Sequence, residues 1–143
     1  MNLIEQLQQT YCDNFVAYYR AHSCHLNVEG RNFVSDHELL GDIYEDLHGE
    51  IDTLGEIIRT LQEYAPMTVY DIISGASMDE ETTSGGADGM LEIVKEALLS
   101  LVTSYQAIQE LADDVEYEHI SNHAQERVTA LEKFIWKLRS VLE

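Results

Sequence analysis

Six histidines stand in a chain of 143 residues that carries 27 Asp and Glu against 8 Lys and Arg. Imidazole and carboxylate together form the ligand set that suits iron, zinc or manganese. Spacing narrows the field. On a helical wheel at about 100° per residue, His37, Gly41, Glu45, His48, Asp52, Glu56 and Arg59 share one stripe. That stripe is turned away from the apolar seam of Leu40, Ile43, Leu47, Ile51, Leu54, Ile58 and Leu61. Asp52 and Glu56, at i and i+4, put two carboxylates one turn apart on one side, where a divalent cation can bridge them. Two carboxylates with imidazole also leave positions open for oxygen chemistry, unlike a closed all-cysteine structural site. His25, with His22 one turn before it, is a third candidate just upstream.

Two readings compete with a metal stripe. The plain one is a solvated acidic face. The other is a di-iron site enclosed in a single bundle, for which Glu45-x-x-His48 and Glu116-x-x-His119 are the right motif pair. It lacks the matching glutamates on two further helices, and Glu45 and His48 point away from the seam. The stripe itself carries a geometric condition. His37 and Asp52 are fifteen residues apart, hence about 22 Å along a helix axis, whereas metal–ligand bonds are about 2 Å long. If both are ligands, the helix must pair antiparallel with its own copy across a two-fold axis near Glu45.

The elements that carry these residues follow from punctuation and period. Pro66 is the only proline, and glycines gather between Gly75 and Gly89. The spacing predicts helix A over about Asn2 to Leu26, and helix B over about Asp36 to Tyr64 with Ser35 and Asp36 as N-caps. A short helix is expected at Thr68 to Ile73 within the connection. After a TTSGGADG loop, helix C runs from about Met90 to Glu116 and helix D from about Asn122 to Leu142. Leu91, Val94, Leu98, Leu101, Tyr105, Ile108 and Leu111 form the seam of helix C; Val128, Leu131, Ile135, Leu138 and Leu142 form that of helix D. The expected fold is all-α, a single domain over residues 1–143. Four amphipathic helices with one long crossover that carries a short helix describe a ferritin-like four-helix bundle.

Composition excludes several functions. A net charge of −19 repels phosphate backbones and attracts cations. The longest unbroken apolar run, Phe15–Tyr19, is too short to span a bilayer. The start, MNLIEQLQQTY, has neither a basic nor an apolar signal region. Cys12 and Cys24 lie roughly 18 Å apart on a continuous helix, too far for a disulfide. The expected compartment is therefore the cytoplasm.

Residues 22–61, HSCHLNVEGRNFVSDHELLGDIYEDLHGEIDTLGEIIRTL, resemble the Dps mini-ferritins, the DNA-binding proteins from starved cells. The resemblance rests on His25, Asn27, Gly30, Asn32-Phe33 and His37-Glu38, and on Asp52 with Glu56 fifteen residues after His37. The C-terminal LEKFIWKLRSVLE, with Trp136, also looks like the family's last helix. The resemblance implies a ferroxidase with ligands His25, His37, Asp52 and Glu56, iron as the metal, and a homododecamer with its sites at two-fold interfaces. It implies oxidation of Fe(II) by peroxide or oxygen and storage of the ferric mineral inside the shell.

The sequence departs from the pattern at two site positions. Gly41 stands where many members carry a further Asp, and Leu26 where many carry Trp. Glu45 is the next carboxylate on the stripe and is not counted among the ligands. Around the start of helix D, where family shells have acidic pores, the local acids are Asp113, Asp114, Glu116 and Glu118, with Asn122 at a position that is often Asp. DNA binding is expected to be weak or absent: the first basic residue is Arg20, inside helix A, and the sequence stops at Glu143 after helix D without a basic tail. The rival reading is a non-catalytic shell or scaffold whose site has decayed, with Gly41 and Leu26 as the symptoms.

Overall fold

A capping box opens the first helix: Asn2 Oδ1 accepts from the Glu5 amide at 2.9 Å, and Glu5 Oε1 accepts from the Asn2 amide at 3.4 Å. From there the computed structural model, which describes residues 1–143, runs through α1 (Leu3–Asn27), α2 (Phe33–Thr60), α3 (Val69–Gly75), α4 (Gly86–Asp114) and α5 (Glu118–Leu142), with no strand. α1 packs on α2 and α4 on α5, each pair antiparallel through a short connection. Arg20 near the end of α1 bonds to the Ile93 carbonyl near the start of α4. Glu50 of α2 bonds to Tyr105 at a similar depth in α4. Thus α2 and α4 run parallel, and a parallel pair needs the long crossover that carries α3. The result is an all-helical four-helix bundle with a short fifth helix.

The expected seams form the core. Leu40, Ile43, Leu47, Leu54 and Ile58 of α2 are fully buried, as are Leu91, Leu98, Leu101 and Tyr105 of α4 and Leu131, Ile135 and Leu138 of α5. Several boundaries differ from expectation. α2 begins at Phe33, not Asp36, and Ser35 does not cap it; its hydroxyl donates back to the Asn32 carbonyl at 3.1 Å. α2 and α4 end earlier than expected, each in a Schellman motif. Gln62 bonds to the Arg59 carbonyl and Glu63 to that of Ile58; Glu116 bonds to Asp113 and Tyr117 to Ala112 in the same way. The left-handed position, usually glycine, is taken by Gln62 (φ 65°) and Glu116 (φ 62°). α4 also starts earlier, at Gly86, because the glycines allow a tight entry. A Cβ on Gly89 would stand 2.8 Å from Thr83 Oγ1. α5 starts at Glu118 rather than Asn122.

Two buried charges of α1 hold the crossover. Asp13 accepts from the Ser77 and Met78 amides at 2.7 and 2.8 Å and from the Ser77 hydroxyl at 2.6 Å. Arg20 donates to the Asp79 carbonyl at 2.6 Å. The two cysteines are buried and unpaired, and burial followed by the charge of Asp13 pushes the Cys12 thiol up to about 11.

Asp36 is also buried in the first turn of α2. That burial, and then the charge of Asp88, raise its carboxyl above its ordinary value of 3.8. A raised acid binds its proton more tightly in the native state. Its contribution therefore favours the fold at low pH and is lost as pH rises from the ordinary value through the folded-state value. Asp36→Asn should melt at a higher temperature than the wild type at pH 7, with the difference closing toward pH 3. Equal melting temperatures across that range would contradict the assignment.

Candidate metal centre

The turn between α1 and α2 folds His25 and His37 together. Their rings stack at 3.7 Å between centroids, with planes 18° apart. Each Nδ1 lies 2.7 Å from the other residue's backbone carbonyl: His25 Nδ1 to His37 O, and His37 Nδ1 to His25 O. A carbonyl only accepts, so each Nδ1 carries the proton and donates it. In the neutral ring the lone pair then sits on Nε2, the state an imidazole needs to bind a metal through that atom. The His25 carbonyl belongs to the last turn of α1, where no further helical amide reaches it, so His37 also caps that helix end.

Gly41 acquires a packing role. A Cβ there would stand 3.1 Å from both Cε1 and Nδ1 of His25, closer than side chains normally approach. The absence of a side chain lets the His25 ring lie against α2. Aromatic groups surround the pair. Phe33 stacks on His37 at 5.0 Å, and Tyr44 lies 5.0 Å from His25. Tyr44 also stacks on His22 at 3.9 Å and 4°, and His22 Nδ1 is 2.9 Å from the Tyr18 hydroxyl. Burial, and then Tyr44 and Tyr19, push the Tyr18 phenol above its ordinary value of 10.0, so it stays protonated. Leu26 is exposed. The aromatic wall here is built from Tyr18 and Tyr44. Their i+4 spacing to His22 and His48 is the sequence signal for it.

Asp52 and Glu56 are both exposed on α2, one turn apart. The chain brings His25 and His37 together but leaves the carboxylates well down the same helix. No group of three His, Cys, Asp or Glu side chains in a single chain is placed to hold a metal ion. The Glu-x-x-His alternative fails on position. Glu45, His48, Glu116 and His119 are all exposed, and Glu116 lies outside the helices.

The bundle interior holds a different polar set. Glu50 Oε2 accepts from the Tyr105 hydroxyl at 2.5 Å and lies 2.8 Å from His123 Nε2. Arg127 donates to both oxygens of Asp46, at 3.1 and 2.7 Å, and its Nε lies 3.4 Å from Glu50 Oε2. The last is an ion-pair distance without hydrogen-bond geometry. Burial works against the Arg127 charge, but the bonds to Asp46 and the neighbouring acids outweigh it and hold the guanidinium protonated. Burial and then Glu50 push the Tyr105 phenol well above its ordinary value, so it remains a donor. A guanidinium of α5 thus pairs with two carboxylates of α2, one of which also meets a histidine of α5. Asp46 and Glu50 sit at i and i+4 beside the seam of α2, the one sequence signal that could have found this set.

The chain matches the ferritin-like domain model over residues 4–143. It is 30% identical over 128 residues to the DNA protection during starvation protein of Brevibacillus brevis, covering 90% of this chain and 86% of that one. The crystal structure of a Dps protein from Bacillus brevis superposes with a TM-score of 0.93 at 28% identity, covering 99% of this chain and 95% of that one. A Dps protein from Vibrio cholerae, described as a member of a broad superfamily of ferritin-like diiron-carboxylate proteins, superposes with a TM-score of 0.93 at 26% identity, covering 99% and 89% of the two chains. The bundle with its crossover is that of a ferritin-like domain, and the chain belongs to the Dps family within it. No helix is long and apolar enough to cross a membrane.

Proposed function

We propose that the protein oxidises Fe(II) and stores the ferric product within a dodecameric shell. In this reading each site combines His25 and His37 of one chain with Asp52 and Glu56 of its two-fold copy. The observation that carries the reading is the stacked His25–His37 pair, with both Nδ1 protons committed to carbonyls and both Nε2 atoms left as ligands. The exposed Asp52–Glu56 pair supplies the negative charge that an Fe(II) substrate needs, and the antiparallel pairing of α2 brings the halves together. Metal-bound carboxylates stabilise Fe(III) over Fe(II), which favours loss of the electron to peroxide or oxygen. Two unpaired buried thiols fit a reducing compartment, the cytoplasm.

Aerobic loading with Fe(II), followed by a count of retained iron, tests this against a shell with a decayed site. The wild type should retain a mineral that co-elutes with the assembled protein, and the Asp52→Ala, Glu56→Ala variant should form it far more slowly. Iron retained only at background would favour the non-catalytic shell. With a net charge of −19, the protein should leave plasmid DNA free in a low-salt gel shift without divalent cations. Tight retardation under those conditions would contradict this expectation.

A further inference from the structure

Of the eight tyrosines in the chain, two have a side-chain hydrogen-bond partner for their hydroxyl. Tyr105 donates to the Glu50 carboxylate and meets the ring of His123, away from the His25–His37 pair. Tyr18 has a base beside that pair: its hydroxyl lies 2.9 Å from His22 Nδ1. Burial keeps the Tyr18 phenol protonated at rest, so the hydroxyl donates and the free ring nitrogen accepts. A phenol that gives up an electron becomes a strong acid and must release its proton, and His22 is in place to take it. We infer that Tyr18, with His22 as its proton acceptor, supplies the second electron when hydrogen peroxide meets a site holding a single Fe(II). This inference rests on the ferroxidase reading above and goes beyond it by assigning the site a reductant from the chain's own side chains.

The rings form a continuous path from this phenol to the site. Tyr18 lies 5.5 Å from His22 and 6.2 Å from Tyr44 between centroids. His22 stacks on Tyr44 at 3.9 Å with planes 4° apart, and Tyr44 lies 5.0 Å from His25. Tyr18, His22 and Tyr44 are each half-buried, which partly screens a radical from solvent. Tyr44 has no base in the chain to take its proton, so it serves as the conduit. Trp136, the single tryptophan, is exposed on α5, which pairs with α4 rather than with the helices that carry the site histidines. Reduction of hydrogen peroxide to two waters takes two electrons and two protons. A single Fe(II) gives one electron, and peroxide cleaved on that electron alone releases hydroxide and a hydroxyl radical. In the proposed step the O–O bond breaks as Fe(II) becomes Fe(III) and Tyr18 becomes a neutral phenoxyl radical. The Tyr18 proton goes to His22 Nδ1, two protons are drawn from solvent, and two waters leave. A later Fe(II) gives one electron to the radical while His22 returns the proton, which restores the pair.

Freeze-quench electron paramagnetic resonance reads this step directly. The assembled protein is loaded anaerobically with about one Fe(II) per chain, since a two-fold contact gives two equivalent sites per dimer. It is then mixed with an equal amount of hydrogen peroxide. The wild type should give a phenoxyl signal that narrows when the protein is made with ring-deuterated tyrosine. Tyr18→Phe should lose that signal, with a several-fold rise in hydroxyl radical caught by a spin trap. His22→Phe should weaken it several-fold, whereas Tyr44→Phe should keep it. Circular dichroism and sedimentation establish that each variant folds and assembles. A wild type that oxidises its Fe(II) without a tyrosine radical, or an undiminished signal in Tyr18→Phe, would overturn the inference. In either event, slow iron oxidation in the Asp52→Ala, Glu56→Ala variant would leave the ferroxidase reading standing. Ferric absorbance that grows no faster in the wild type than in that acid-pair variant would overturn both.

Discussion

Two inactive variants, unfolded together and reassembled, should recover about a quarter of the wild-type ferroxidase activity. The first carries His25→Ala with His37→Ala, and the second Asp52→Ala with Glu56→Ala. Each homodimer has a lesion in both of its sites. In a mixed dimer one site collects every lesion, and the other collects all four intact ligands. Random pairing makes about half the dimers mixed, which gives the quarter. The effect is large because, on the proposed two-fold site, each parent lacks half of every site; within a single chain no three His, Cys, Asp or Glu side chains are placed to hold a metal ion. Activity that stays at the level of the separate variants, despite mixed shells seen by mass spectrometry, would show that the site is not divided between chains.

Arg127→Met should lower stability by about 3–5 kcal/mol, the usual cost of removing one partner from a buried ion pair. Glu50 is only 5% exposed, and it would keep its charge in the interior with the nearest cation removed. Asp46 would lose both of its bonds to the guanidinium. Urea unfolding at one fixed protein concentration is the measurement, because assembly makes apparent stability concentration-dependent. Removing both partners, Glu50→Leu with Arg127→Met, should destabilise by less than the sum of the two single changes, since no unpaired charge then remains between them. A loss below about 1 kcal/mol for Arg127→Met would place the pair with weak surface bridges instead.

His25, His37, Asp52 and Glu56 were legible as candidates because types and spacings along one chain are sequence properties. The same holds for the four long helices and their crossover, since a 3.6-residue period broken by Pro66 and the glycines needs no knowledge of neighbours. The ends of α2 and α4 were not legible. Their reversals fall at Gln62 and Glu116, whose side chains give no sign of a left-handed turn, and the motif is defined by bonds to carbonyls of the preceding turn. Gly41 read as a missing ligand until the fold placed His25 against it.

The interior set of Asp46, Glu50, Tyr105, His123 and Arg127 draws on three helices, so no spacing within one segment announces it. Periodicity tells a residue which face of its own helix it occupies. Only the packing of one helix on another decides which groups meet across that face, because that depends on the relative height and rotation of segments distant in sequence. By itself, the sequence therefore determined the helices and the candidate ligands. The tertiary structure decided that the two histidines share protons with each other's backbone, that an arginine fills the bundle interior, and that the carboxylates remain on the surface.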